Sequence, residues 1–406
     1  MAEVDAGNAA LERAWTRYAG ALERVRAAFL ASPLMRMAPE GPACAHRCLM
    51  QAQAHAHNLM IGPDPDDPVF LYGSLFDPFA GFAWLLPNPD FFYRMAFLNG
   101  SGTYRILVRR NDTDWINFHM RSDMWGMPGV EFLGSFDLER FAPGADGNHE
   151  IIASARPQGG NWLPLQADSG YNFINVRAAL LDWESGVPAQ FHIDVIEPPA
   201  HPTQRGAEHA ARRIERAARF VEFSALDYTI AVVERTLARA GGVNRFAMEA
   251  GTATANSGNA PNNLYIAAVF ELEPGQALVV DFEPPRDARY WGIQLGDICN
   301  QTLDYWGRQT SLNASQARMD ADRRVRCVLA AQDPGVPNWL DTMDHRAGIV
   351  FLRAHGSAAG VSPRVTRVAL EDLDRHLPAG TPVVEARARR ETIARRERAI
   401  RRLYGY

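Results

Sequence analysis

The polarity pattern changes character several times along the chain. From 8 to 31, "NAALERAWTRYAGALERVRAAFLA", apolar residues recur at helical spacing with charges between them, which predicts an amphipathic helix; a second helix is expected over about 41 to 60. After the loop "GPDPDDP", short aromatic and β-branched segments run from about 90 to 196, alternate in polarity and are separated by turn residues: "GTYRILVRR", "DWINFHMRS", "HEIIASA", "YNFINVRAAL" and "AQFHIDVIE". They predict the strands of a sandwich or barrel. Helical periodicity returns from 204 to 240 and stops at Gly241-Gly242. Strand-like segments resume with "NLYIAAVFEL", "QALVVDFE", "RYWGIQLG", "RVRCVLAA" and "GIVFLRAH", and a basic helical tail, "EARARRETIARRERAIRRLYGY", follows. The expected organisation is a helical segment over 1–62, a β domain over 63–200, a helical connector over 201–242, a second β domain over 243–358 and the tail over 359–406.

The two β stretches share landmarks in the same order. Tyr93 opens the first and Tyr265 the second; "DWINFHM" matches "YWGIQLG"; Asn161-Trp162-Leu163 and Arg177 match Asn338-Trp339-Leu340 and Arg353. Equal order and nearly equal spacing predict an internal duplication. The fold class expected is therefore α+β, mainly β, with two tandem jelly-roll or sandwich-like domains joined by a long helical connector. A Trp buried beside a turn-forming Asn is a structural reason for the repeated phrase.

Composition narrows the function classes. The chain has 406 residues, 47% hydrophobic and 22% charged, enough for about two domains, and its net charge of −5 gives no general attraction to nucleic acid or anionic lipid. No stretch approaches a membrane span, and the opening "MAEVDAGNAALERAW" has no basic region before an apolar one, so a cytoplasmic protein is expected. All 42 basic residues counted as Lys+Arg are Arg, which removes lysine Schiff-base chemistry and the phosphate-loop lysine. Cys44, Cys48, Cys299 and Cys327 are too scattered for a disulfide framework and are expected as free thiols. Cys44, His46, Cys48, His55 and His57 lack the spacing of structural zinc, so no metal is expected. Dinucleotide, α/β-hydrolase, zincin and dithiol motifs are absent, and no cofactor is expected.

The stretch 290 to 356, "YWGIQLGDICNQTLDYWGRQTSLNASQARMDADRRVRCVLAAQDPGVPNWLDTMDHRAGIVFLRAHG", resembles the C-terminal signature of the bacterial domain-of-unknown-function family twelve-fourteen. "NPDFFYRMAFLNGSGTYRI", 88 to 106, resembles its N-terminal portion. The resemblance covers most of the chain. It implies two jelly-roll barrels with helical additions, often in the company of sister domain twelve-fifty-four, and it implies no particular chemistry.

Candidate chemistry falls in three places. Asp341 and His345 are four residues apart, so on a helical turn the carboxylate would orient the imidazole as a general base, with Arg346 or Arg353 stabilising an anion; the alternative is a turn in which Asp341 caps backbone amides and His345 lies at the surface. The segment "GDICNQTLDYWGRQTSLN" places Asp297, Asn300, Asp304, Tyr305, Trp306 and Arg308 after a strand, where a β scaffold builds sites for ligands. In "FHMRSDMWG", His119, Arg121 and Asp123 alternate on one strand face beside Trp125, facing either solvent or a polar pocket, with solvent the favoured choice. Three functions follow as expectations: a cofactor-independent lyase or hydrolase acting on an oxygenated hydrophobic small molecule, a noncatalytic binder of such a molecule or a carbohydrate, or a structural assembly protein. A homo-oligomer is expected because the terminal helices offer apolar faces.

Overall fold

The helix expected from 8 to 31 is α1 (Ala2–Ala31), with Ala14, Ala21, Val25 and Phe29 on its buried face. It belongs to a computed structural model that describes residues 2–71, 76–249, 263–357 and 360–406. α2 (Gly41–Ala56) has a Pro in its first turn, where a missing N–H costs nothing, and runs into a π-helical turn, His57–Ile61. The helical stretch between the two β regions comprises α3 (Ala207–Glu222), a π-helical segment (Phe223–Ile230) and α4 (Ala231–Ala240). Gly241 ends it at φ 69°, a left-handed C-cap that favours glycine.

The first β unit contains β1 (Phe91–Leu98), β2 (Thr103–Arg109), β3 (Trp115–Arg121), β4 (Phe132–Asp137), β5 (His149–Ser154), β6 (Trp162–Pro164), β7 (Asn172–Ala179) and β8 (Gln190–Glu197). The second contains β9 (Ala247–Glu249), β10 (Asn263–Glu271), β11 (Gln276–Phe282), β12 (Tyr290–Asp297), β13 (Ser311–Asn313), β14 (Val325–Ala330), β15 (Trp339–Asp341), β16 (Ala347–His355) and β17 (Arg364–Ala369). Sheets β1-β7-β3-β4 and β6-β5-β2-β8 enclose one core, and sheets β9-β10-β16-β12-β13 and β15-β14-β11-β17 enclose another. Apart from β9, the second pair repeats the strand order of the first, down to the parallel pairings β5–β6 and β14–β15.

The repeated phrase does the same work in both units. Asn161 accepts from Ala142 N at 2.8 Å and donates to Ala142 O at 2.7 Å; Asn338 accepts from Arg318 N and donates to Arg318 O, both at 2.7 Å. Each following indole donates to a carbonyl of the neighbouring strand, Trp162 to Ser154 O at 3.1 Å and Trp339 to Ala330 O at 2.9 Å, while Leu163 and Leu340 are fully buried. The Asn clips a loop whose backbone groups would otherwise lack partners.

One pairing expected from sequence is shifted by a residue. Arg177 faces Asn117 on β3 and Arg353 faces Gly292 on β12, so Trp115 corresponds to Tyr290 and His119 to Gln294. A slip of one residue exchanges the faces of a strand, and accordingly Trp115 packs with Phe91 and Tyr290 between the units while Trp291 lies in the second unit's core.

Helices and sheets are tied into one body. Val25 and Phe29 of α1, Cys48 of α2, Phe220 of α3, Phe173 of β7 and Ala347 of β16 share a core. α5 (Ala386–Tyr404) is the basic tail, yet Arg389 and Arg396 are buried: Arg389 bonds Asp333 and Gln309, and Arg396 bonds Tyr305 O and Ser311 O. Further along the same helix, Arg402 donates to Trp183 O at 2.8 Å and Gly186 O at 2.9 Å of the first unit. Val25 and Phe29 of α1 and Ala399 and Ile400 of α5 are buried against the chain itself, while Trp15 of α1 remains exposed. No helix among the described residues is long and apolar enough to cross a membrane.

Candidate functional site: a cavity between the two β units

The outward faces of sheets β1-β7-β3-β4 and β9-β10-β16-β12-β13 look toward each other across a cavity of about 540 Å3. Tyr93 of β1 lies opposite Arg177 of β7, and Tyr265 of β10 lies opposite Arg353 of β16; all four line the cavity. Each unit therefore contributes the same Tyr–Arg pair at the same place in its sheet.

The two arginines are also held alike. Arg177 Nη1 donates to His119 Nδ1 at 3.1 Å, and Arg353 Nη1 donates to Gln294 Oε1, the corresponding acceptor of the second unit. Burial, followed by the nearby charges of Arg121 and Arg177, pushes His119 well below the ordinary imidazole range, so it is neutral and Nδ1 is free to accept. Arg353 Nη2 also donates to Leu86 O at 3.0 Å, and its guanidinium lies 4.4 Å over the Phe351 ring. Leu85 and Leu86 have φ of 61° and 52°, a left-handed pair of residue types that avoid that region, which turns the carbonyl of Leu86 toward Arg353.

Apolar groups close the space. Phe76, Leu85, Phe91, Met95 and Phe351 line it from the sheets and the loop before β1; Trp125, Gly126 and Met127 come from the loop after β3, and Phe223 and Tyr228 from the π-helical segment. Gly126 has φ 85°, and a Cβ there would fall within 2.3 Å of the Phe223 ring, so glycine is required for the loop and the π-helical turn to meet. π-helical turns recur at functional sites because they displace side chains from the regular helix surface. Arg219, Asp227 and Arg235 stand exposed at the rim, and Asp227 is the one carboxylate lining the cavity among the described residues.

The residues singled out from sequence are distributed over several places. Arg353, Trp125 and Asn300 line the cavity; Trp125 Nε1 and Asn300 Oδ1 are buried there without a hydrogen-bond partner among the described residues. His119 and Arg121 are fully buried just behind it, which corrects the expectation of a solvated strand face: the second β unit and the helices cover that face. Burial and the neighbouring Arg177 bring the Arg121 guanidinium down to about 9, and it packs over Trp125 and Phe132. Asp123 instead forms a two-pronged ion pair with Arg216, at 2.7 and 2.6 Å.

Asp341 and His345 do not form the oriented pair. Asp341 ends β15, accepts from Met343 N at 2.8 Å and pairs with Arg308 at 3.2 Å. The chain then turns through Met343 and Asp344 at φ 52° and 62°, so no helical turn brings the imidazole back over the carboxylate. His345 Nδ1 lies 3.3 Å from Glu40 of the N-terminal segment. Burial pushes Asp341 upward from the usual carboxylate range.

The 297–308 segment splits in two. Asp297 is buried, pairs with Arg47 at 2.6 Å and accepts from Cys299 N and Gln301 N. Asp304 caps Trp306 N and Gly307 N, while Tyr305 and Trp306 pack with Ile400 and Leu403 of α5. Sequence reasoning used Tyr93, Arg177 and Tyr265 only as landmarks of the repeat; their recurrence was the signal that both units direct the same pair of groups to one place.

No family model and no curated protein matches the sequence. Among solved structures, the chain is similar to the crystal structure of an uncharacterised protein from Burkholderia cenocepacia, at 28% identity and a TM-score of 0.79 over 90% of this chain and 99% of that one. A weaker likeness, at 13% identity and a TM-score of 0.45, is to a Vibrio parahaemolyticus protein, covering 79% of this chain and 96% of that one. The chain shares its fold with the Burkholderia protein.

Proposed function

We propose that the cavity between the two β units binds a small amphipathic anion: an aromatic or apolar body carrying a carboxylate or a similar group. The observation that carries this reading is the presence of two equivalent Tyr–Arg pairs, Tyr93–Arg177 and Tyr265–Arg353, on one cavity. Arg353 is held by the neutral acceptors Gln294 and Leu86, so its charge remains available to a ligand, and a guanidinium matches the planar geometry of a carboxylate. The aromatic walls supply burial for the body of the ligand, and Trp125 Nε1 and Asn300 Oδ1 offer one donor and one acceptor. The matching strand orders support an internal duplication that yielded two jelly-roll-like units, and the motifs at 88–106 and 290–356 support membership of family twelve-fourteen. Catalysis by His345 and Asp341 is not part of this reading, because neither residue lines the cavity.

Isothermal titration with 2-naphthoate and the uncharged 2-naphthylmethanol tests it. The acid should bind at least tenfold more tightly than the alcohol, and Arg177→Gln or Arg353→Gln should remove most of that preference, since a charge-assisted hydrogen bond contributes roughly 1.5–3 kcal/mol. Equal binding of the two compounds, or a preference unchanged in both variants, overturns the proposal.

A further inference from the structure

We propose that a second hollow, an open groove of about 1000 Å3 between the packed α1–α3 pair and the loops of the first β unit around 99–101, 127–128, 167–171 and 201–204, binds a small, multiply charged anion of the phosphate class. Arg13 and Arg17 lie one turn apart on α1, and Arg212, Arg216 and Arg219 follow one another on α3; all five line the groove, against the carboxylates of Asp168 and Glu215. Two of the five are fixed in place: Arg17 is paired with Glu222 at 2.5 Å, and Arg216 is paired with Asp123 and lies 4.3 Å over the Tyr171 ring. The other three are lightly engaged. Arg13 has no hydrogen bond or ion pair among the described residues, Arg212 reaches Glu208 only at 3.8 Å, and Arg219 Nε donates to the neutral carbonyl of Gly126 at 2.8 Å.

His209, which lines the groove, is pushed down by burial and then by Arg213 and Arg212, with Asp64 and Asp66 acting against them. Several guanidiniums from two packed helices on one groove suit an anion with several oxygens, because each fork can take two of them. A chain of net charge −5 with a confined basic groove fits a small solute better than an extended polyanion. Met127 and Arg219 line both the groove and the cavity between the β units, so an anion in the groove contacts a residue that the cavity also uses.

Titration calorimetry with inorganic pyrophosphate at low salt tests the assignment, which does not depend on what the cavity binds. One equivalent should bind, with affinity falling as salt rises, and the double variant Arg13→Glu, Arg212→Glu should weaken it at least tenfold. The charge-matched variant Arg364→Glu, Arg367→Glu, at two exposed positions of β17, should change it by less than threefold. Absence of binding, or equal loss in both double variants, overturns the proposal. So does co-sedimentation with phosphatidylserine vesicles without binding of soluble pyrophosphate, which would make the groove a membrane-contact surface. Binding of 2-naphthoate, measured on the same preparation, separates the fate of the groove from that of the cavity.

Discussion

Arg177 donates to Nδ1 of His119 at 3.1 Å, and that imidazole must be neutral to accept. Gln294 performs the same task for Arg353. His119→Gln should therefore keep the affinity for 2-naphthoate within about threefold, whereas His119→Phe, which fills the space but offers no acceptor, should lower it about tenfold or more. Titration calorimetry on the two variants decides between an accepting role and simple packing.

The same histidine makes stability depend on pH in a defined direction. Its folded pKa lies well below its unfolded value, so the folded chain resists a proton that the unfolded chain takes up. Stability from this site is complete above about pH 6.5 and declines as the pH falls below it. Thermal melts from pH 7.5 to 5 should show a smaller decline for His119→Gln than for the parent; parallel curves would contradict the buried neutral imidazole.

Asp90 acts in the opposite sense. Between the units it accepts from Asn313 Nδ2 at 2.6 Å, Tyr290 Oη at 2.8 Å and Trp183 Nε1 at 3.0 Å, yet burial still pushes its carboxyl up to about 6. The folded state binds this proton more tightly than the unfolded state does. The penalty is therefore fully present above pH 6 and fades toward pH 4, by at most about 3 kcal/mol. Relative to Asp90→Asn, the parent should gain stability over that window, as read from urea midpoints at several pH values.

The four cysteines should be inert while the chain is folded. All are buried, and desolvation holds Cys44 and Cys48 up at about 12 and raises Cys299 and Cys327 as well, so almost no thiolate is present at pH 8. An aromatic disulfide reagent should titrate none of them natively and all four after denaturation.

Asn161 and Asn338 should matter to stability in parallel. Replacing either with Ala strands an amide and a carbonyl of the clipped loop, at a cost of about 1–3 kcal/mol, and Asn338, the more buried, should cost more. Chemical denaturation of the two variants gives the comparison.

Much of this architecture was legible because it is periodic or local. Alternating strands, the helix from 8 to 31, the stop at Gly241 and the Asn-Trp-Leu phrase each depend on neighbours in sequence. The face of β12 was misread because Trp115 and Trp291 look equivalent in a string, whereas the register partners of Arg177 and Arg353 decide which face each occupies. The cavity was not legible because it joins four strands from two units to a π-helical segment whose displacement has no periodic signature. Asp341 and His345 attracted attention through spacing alone, and a left-handed turn at Met343 and Asp344 separates them.

The helix α5 anchors Arg389 and Arg396 in the second unit and Arg402 in the first, while Asp90 ties β12 and β13 to the loop before β1. Neither unit can come apart without abandoning bonds that the other supplies. Melting should consequently be a single cooperative event, with calorimetric and van't Hoff enthalpies in agreement, even though the sheets enclose two separate cores.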